Sequence, residues 1–422
     1  VDEKGAVAAG EPGRIGLWEI ASTFLGIGLA SFSLAALGEA REWLTRRRKW
    51  LTDEEYLRGV ALAQLLPGAP TVNLCSYLGY RLRGLPGAAT ATVFFLVPCF
   101  LSMFLLSYVY LHYGTVAVVS RLFRGLAALV VGLVFNTVVN LWQAGVKTRI
   151  NWFLAVAGFV MAFWLKLGVI EILLFAGSAG LVLVFAAGRL PRLAAWAGLG
   201  PVVTPSVRGP GEELPAAGAR AWFPGGRLVL QVVLAVVLVL GAQVLLLGRW
   251  PQLLPLGGSF LRIGAVVFGS GYAMLPFIQD TVVNHLGWLT DQQFAAALAL
   301  SMITPGPVTI IGVFIGYKVA GLAGALTGMV DMYLPAWVMT IVAAVPYDRA
   351  GGAGVVKQVT GGIVATFIGT LWVVLIRLGA GTLVDGAAWA LALAAVVAVR
   401  FGKVRTIPVV LAGAIVSMLL FR

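Results

Sequence analysis

The chain has 422 residues, of which 60% are hydrophobic and 11% charged, and its formal net charge is +13. That much apolar surface excludes a water-soluble globular enzyme or scaffold and implies a helical protein that crosses a lipid bilayer several times. Lys and Arg cluster in loops between hydrophobic runs, the pattern of cytoplasmic loops rather than of a nucleic-acid surface, so no nucleic-acid partner is expected.

Residues 1–13 form a polar N-terminal tail without the apolar stretch of a cleavable signal. The segment 15–37 is apolar, and the loop after it carries Arg41, Arg46, Arg47, Arg48 and Lys49. The segment 55–82 is interrupted by "QLLPGAP" at 64–70. Full spans follow over about 86–111, 122–142, 151–167 and 169–187. Residues 188–226 are rich in Gly, Pro, Ala and Arg, lose all apolar periodicity, and read as a flexible cytoplasmic linker. The span 228–247 comes next, then 258–278 with "FGSGYAMLP" at 268–276, and 292–317 with "MITPGPV" at 302–308. The expected organisation is therefore a tail (1–13), an N-terminal repeat (14–187), a linker (188–226) and a C-terminal repeat (227–422).

The two halves are related. "WLTDEEYLRGVALAQLLPG" at 50–68 and "WLTDQQFAAALALSMITPG" at 288–306 share eight of 19 positions at a constant offset of 238. After a one-residue shift, "GYRLRGLPGA" (79–88) matches "GYKVAGLAGA" (316–325), and Pro98 falls opposite Pro335. A collinear series of this kind is an internal repeat, common in secondary transporters. The loop before the first Pro-Gly element is strongly basic, whereas its counterpart at 278–291 has Asp280 and Asp291 and no Lys or Arg. The first loop reads as cytoplasmic and the second as external, so the repeats are expected to be inverted, with 15–37, 55–82, 258–278 and 292–317 re-entrant or broken.

Pro67, Gly68 and Pro70 cannot continue a helix, and neither can Pro305, Gly306 and Pro307. Irregular backbone at membrane depth is tolerated only where protein buries it or water reaches it. Two matched breaks therefore point to a cavity between the repeats. The helix starting after each break, at Thr71–Asn73 and Val308–Ile310, would turn N–H groups and the positive end of its dipole toward that cavity, which suits an anion. Gly269 and Gly271 form a second break, and Arg262 lies just upstream, either as an anion contact or snorkelling to the interface. Asp331, within an apolar span, is a proton-relay candidate or a packing hydrogen-bond partner. Cys75 and Cys99 read as small buried hydrophobes, His112 and His285 are too isolated to ligate a metal, and no phosphate-binding loop occurs. No catalytic residue, metal or cofactor is expected.

Several of these stretches resemble the chromate ion transporter family: "FLRIG", "FGSGYAMLPF", "GWLTDQQF" and "TPGPVTIIGVFIGY" in the second half, and "WLTDEEYL", "ALAQLLPGAPTVNL" and "YLGYRLRGLPGA" in the first. The resemblance covers both halves and implies the long, two-repeat form. It implies an all-α polytopic protein of the cytoplasmic membrane that exports chromate, a dianionic analogue of sulfate. It marks Gln64, Pro67, Gly68 and Pro70, with Asn73 beside them in the first helix turn, and Arg262, Gly269, Gly271, Thr304, Pro305, Gly306 and Pro307 as substrate-binding. Two departures stand out: "SFSLAALGEA" (31–40) replaces a glycine-proline break, and Ala69 is inserted in the first triplet, so the first-half site is expected to be the degenerate one. The partners implied are chromate or a sulfate-like anion, the lipid bilayer and, as one allowed assembly, a second copy of the chain. The alternatives are a transporter of sulfate or another anion, an intramembrane enzyme acting on lipid, which would need a His, Asp or Glu cluster at one membrane face, and a membrane scaffold, which would not need matched breaks.

Overall fold

A computed structural model describes residues 15–30, 38, 40–114, 116–167, 171–172, 174–180, 182, 226–247, 251–267, 271–350, 354–404 and 406–421. The tail, the linker up to residue 225, and Gly269 lie outside the described residues. The first half contains α1 (Leu17–Ala30), α2 (Asp53–Leu65), α3 (Pro70–Tyr113), α4 (Ala117–Gly145) and α5 (Arg149–Phe163). The second contains α6 (Gly226–Leu247), α7 (Leu253–Val266), a short α8 (Leu275–Gln279), α9 (Asp291–Ile303), α10 (Ile311–Ala350), α11 (Gly354–Thr382), α12 (Gly386–Arg400) and α13 (Thr406–Leu420). Five described helices are long and apolar enough to cross a membrane. The protein is an all-α polytopic membrane protein.

Local chemistry repeats with the sequence. Thr52 caps α2 and Thr290 caps α9, each in a reciprocal box with the third residue of its helix, Glu55 or Gln293. Upstream, Arg41 Nε donates to Asp53 at 2.9 Å, and this hydrogen bond holds the Asp53 carboxyl below the usual carboxylate range. The matched pair in the second half is Gln279 Nε2 to Asp291, also 2.9 Å. The long helices α3 and α10 both turn sharply near their first third, at Arg83–Gly84 and Ala320–Gly321. At these turns the chain doubles back closely enough that a Cβ at Gly79 would strike the Gly87 carbonyl, and one at Gly316 the Gly324 carbonyl.

The breaks make true re-entrant hairpins. Gly59 of α2 packs on Leu74 and Tyr77 of α3, and Arg81 pairs with Glu55 at 3.1 Å, so both ends of the first hairpin lie at one level. Lys318 donates to Gln293 at the equivalent place in the second. Beyond its turn, α3 runs the full depth of the molecule. Its far end, at Phe104, Tyr110 and His112, meets Phe314 and Tyr317, beside the mouth of the second hairpin. The two hairpins therefore enter from opposite ends, which is the inverted arrangement that loop charge implied.

The halves also interlock. Helix α4 packs on α12, and the position-matched α11 packs on α5. In both crossings a glycine admits the partner's backbone: Gly132 against the Ala392 carbonyl, Gly369 against that of Ala155. Helix α6 stands apart. It leaves most of its Val and Leu side chains on the outer surface, as a lipid-facing span would.

Single cysteines at Arg47 and Asn284 should label from opposite sides of the membrane, with Asn284→Cys reacting with an impermeant maleimide in intact cells and Arg47→Cys protected. Cys75 and Cys99 are buried, so the background is quiet. Labelling of both positions from one side would contradict the inverted arrangement.

Candidate functional site

At the first hairpin tip α2 ends with Leu66 extended, and Gly68 takes φ +99°; at the second, Thr304 is extended and Gly306 takes φ +103°. Only glycine adopts that region without strain, so "PGAP" and "PGPV" build the same turn despite the inserted Ala69. The expected degeneracy of the first repeat therefore does not extend to the backbone of its tip. The segment 31–37, within the other departure, lies outside the described residues.

The tips are held by each other's repeat. Gly68 N–H donates to the Val267 carbonyl, at the end of α7, at 2.8 Å. Gly271, just past that end, touches Thr309 at the second tip. Gly68 also packs on Ala336 of α10, and Gly306 on Cys99 of α3, two contacts between position-matched residues. The tips and the break after α7 thus form one junction near mid-depth. Asn73 braces the first tip from within, its Nδ2 donating to the carbonyls of Ala63 (3.2 Å) and Pro67 (3.0 Å), while its Oδ1 is buried without a partner. At the second tip, Thr309 and the Tyr333 hydroxyl are 3.0 Å apart.

Of the residues singled out in the sequence, Pro67, Gly68, Pro70, Asn73, Gly271, Thr304, Pro305, Gly306 and Pro307 come together at this junction. All four break residues of the second half, Thr304 to Pro307, are buried, whereas Pro70 is partly open. Gln64 and Arg262 do not join them. Both are exposed, a turn or more back from the junction on the two opposite approaches, α2 and α7. Asp331 is buried elsewhere on α10, against α7. Val267, Cys99, Ala336 and Tyr333 were not anticipated. The offset of 237 does relate Cys99 to Ala336, but nothing in the sequence says that either faces a tip.

Electrostatically, the junction is where helix starts meet. The segment 70–82 and α10, the latter through a short 3-10 turn at Val308–Ile310, begin here and run outward. Pro70 has no N–H, Val72 and Asn73 donate to the Ala69 carbonyl and Ile310 to that of Pro307, so the N–H groups at the positive ends of the two dipoles are those of Thr71, Val308 and Thr309. Among the described residues no group of three His, Cys, Asp or Glu could hold a metal ion. The positive potential at the junction comes from backbone N–H groups rather than from side-chain cations.

The sequence profile of the chromate transporter family matches residues 18–181 and 254–418, one match to each repeat. The chain belongs to the chromate transporter family. It is 31% identical to a chromate transport protein of Cupriavidus metallidurans over 94% of this chain and 91% of the relative. It is 28% identical to a probable chromate transport protein of Synechococcus elongatus, over 96% and 95%. A chromate transport protein of Pseudomonas aeruginosa is 28% identical over 78% and 73%. No solved structure matches the chain. These relatives are transport proteins, and with the membrane-spanning helices they make this chain a multi-pass membrane transporter.

Gly68→Ala and Gly306→Ala should each destabilise the detergent-solubilised protein by about 1–2 kcal/mol through the left-handed backbone alone, before any crowding against Ala336 or Cys99. Gly258→Ala, in open space on α7, should cost nothing. Thermal unfolding of the three variants checks this, and equal stabilities would show that the tips are not held in the described conformation.

Proposed function

We propose that this family member carries chromate, or the isosteric tetrahedral dianion sulfate, through the junction of the two hairpin tips, and that it moves chromate out across the cytoplasmic membrane. The observation that carries this reading is the meeting of two helix starts from inverted repeats at mid-depth, each on a glycine turn braced by the other repeat. Near mid-depth, oriented N–H groups attract a dianion without the desolvation penalty of a buried lysine or arginine. The names of the similar proteins supply the anion.

In this mechanism the anion sheds part of its water at the tips and is held by backbone N–H groups of both hairpins. Exposed Gln64 and Arg262 line the two approaches, Arg262 attracting the anion along α7. Because the hairpins open toward opposite ends, small opposite movements of the two repeats give access first from one side and then from the other.

Purified protein in liposomes should give saturable chromate flux that sulfate inhibits. Gly306→Ala/Pro307→Ala should reduce that flux at least about tenfold at equal incorporation, because alanine favours a continuous helix by about 1 kcal/mol over glycine and about 3 over proline. Arg262→Ala should raise the chromate concentration for half-maximal flux more than Arg262→Lys does. Absence of saturable chromate flux in the wild type would overturn the substrate assignment, and full flux in the double variant would remove the tips from the pathway.

A further inference from the structure

The most buried charge-bearing side chain has no part in the hairpin tips. Asp331 lies on α10 with 2% exposure, and its carboxylate abuts α7 so closely that a Cβ at Gly257 would collide with Oδ2. Thr327, one turn earlier on α10 and 3% exposed, flanks the same glycine. The Gln243 amide of α6 lies opposite. The Gln243 amide is placed to donate to the Asp331 carboxylate, while Asp331 Oδ1 and Thr327 Oγ1 are buried without a hydrogen-bond partner among the described residues. The groups facing Asp331 are thus Gln243 from α6, Gly257 from α7 and Thr327 from its own helix, and none is charged. Arg227, Arg262 and Lys318, the described cations of those helices, make no ion pair with it; Lys318 donates to Gln293 instead.

Polar groups left partly unpartnered at the contact of three helices are costly, and a carboxylate there costs most of all. A bound proton removes the charge, and the protonated carboxyl can donate to a hydroxyl oxygen such as that of Thr327 while still accepting from the Gln243 amide. The pocket is also confined to one repeat. Phe94 occupies the position matched to Asp331, and Ala21 that matched to Gly257. A device that breaks the pseudo-symmetry in this way is not needed to build the anion junction, which both repeats share.

We propose that Asp331 is a proton-binding site that couples transport to pH. Protonated, it closes the contact of α6 and α7 on α10. When α6 and α7 part from α10 and water enters, the proton leaves to that water, and the ionised carboxylate disfavours reclosure until a proton returns. The transport half of this proposal rests on the anion-transporter reading above; the proton-binding half does not.

Two measurements on the full-length protein test it. In the purified protein, infrared difference spectra between about pH 5 and about pH 8 should show a protonated-carboxyl band that titrates and is missing from Asp331→Asn. Gln243→Leu should keep that band and shift its midpoint. In liposomes, wild-type chromate flux should change at least about fivefold over the same range, Asp331→Asn less than about twofold with chromate exchange retained, and Asp331→Glu should restore the pH response. Absence of a titrating band, or a wild-type pH response in Asp331→Asn, overturns the proposal, as does dependence on sodium at constant pH in place of pH. If the wild type carries no chromate, the substrate reading fails while the infrared titration still decides whether Asp331 binds a proton.

Discussion

Every feature of this molecule answers to one constraint: a backbone N–H or carbonyl freed inside a membrane must find a partner within the protein. The chain frees several on purpose, at residues 66–69 and 304–307 and at Val267 where α7 ends. Partners come from both repeats: Gly68 N–H donates to the Val267 carbonyl across them, and the tips pack on Ala336 and Cys99 of the opposite repeat. Each tip is braced partly from within its own repeat and partly by the other. The same reciprocity recurs in the scaffold, where Gly132 and Gly369 each admit a backbone carbonyl from the other half.

Close glycine contacts take the place that the hydrophobic effect has in water. Lipid is as apolar as leucine, so helix association depends on short approach and good packing. The hairpins are set by pairs such as Gly79–Gly87 and Gly316–Gly324, and the polar contacts are kept to the ends, at Arg81–Glu55 and Lys318–Gln293. This leaves the middle of the structure with few charges. Helix starts supply positive potential there, and their partial charges need no counter-ion and no desolvation of an ammonium or guanidinium group.

Against that symmetric background the differences between the repeats are informative. The two tips have the same backbone but different supports, Asn73 in the first and the Thr309–Tyr333 pair in the second. Arg262 and Asp331 have no charged counterparts in the first half, where Gly26 and Phe94 stand. These side chains make the two repeats chemically unequal.

Much of this was legible in the sequence. Apolar content placed the chain in the bilayer, the 237–238 offset revealed the repeat, proline and glycine located the breaks, and loop charge predicted the inversion. Those properties are local or periodic, and a bilayer reads them directly through helix length, backbone donors and loop charge. What faces the junction was decided by the tertiary structure alone. Cys99 and Ala336 look like ordinary apolar residues until crossing helices bring them against the tips, and Val267 matters only for its carbonyl. Arg262, next to a glycine break in sequence, turns outward because the other face of α7 is filled by Phe260, Ile263 and Gly264 packed inward. Asp331 was conspicuous as a charge in an apolar span, but its neighbours Gln243 and Gly257 come from two other helices, and which side chains share a helix crossing depends on rotation and depth that no single stretch of sequence specifies.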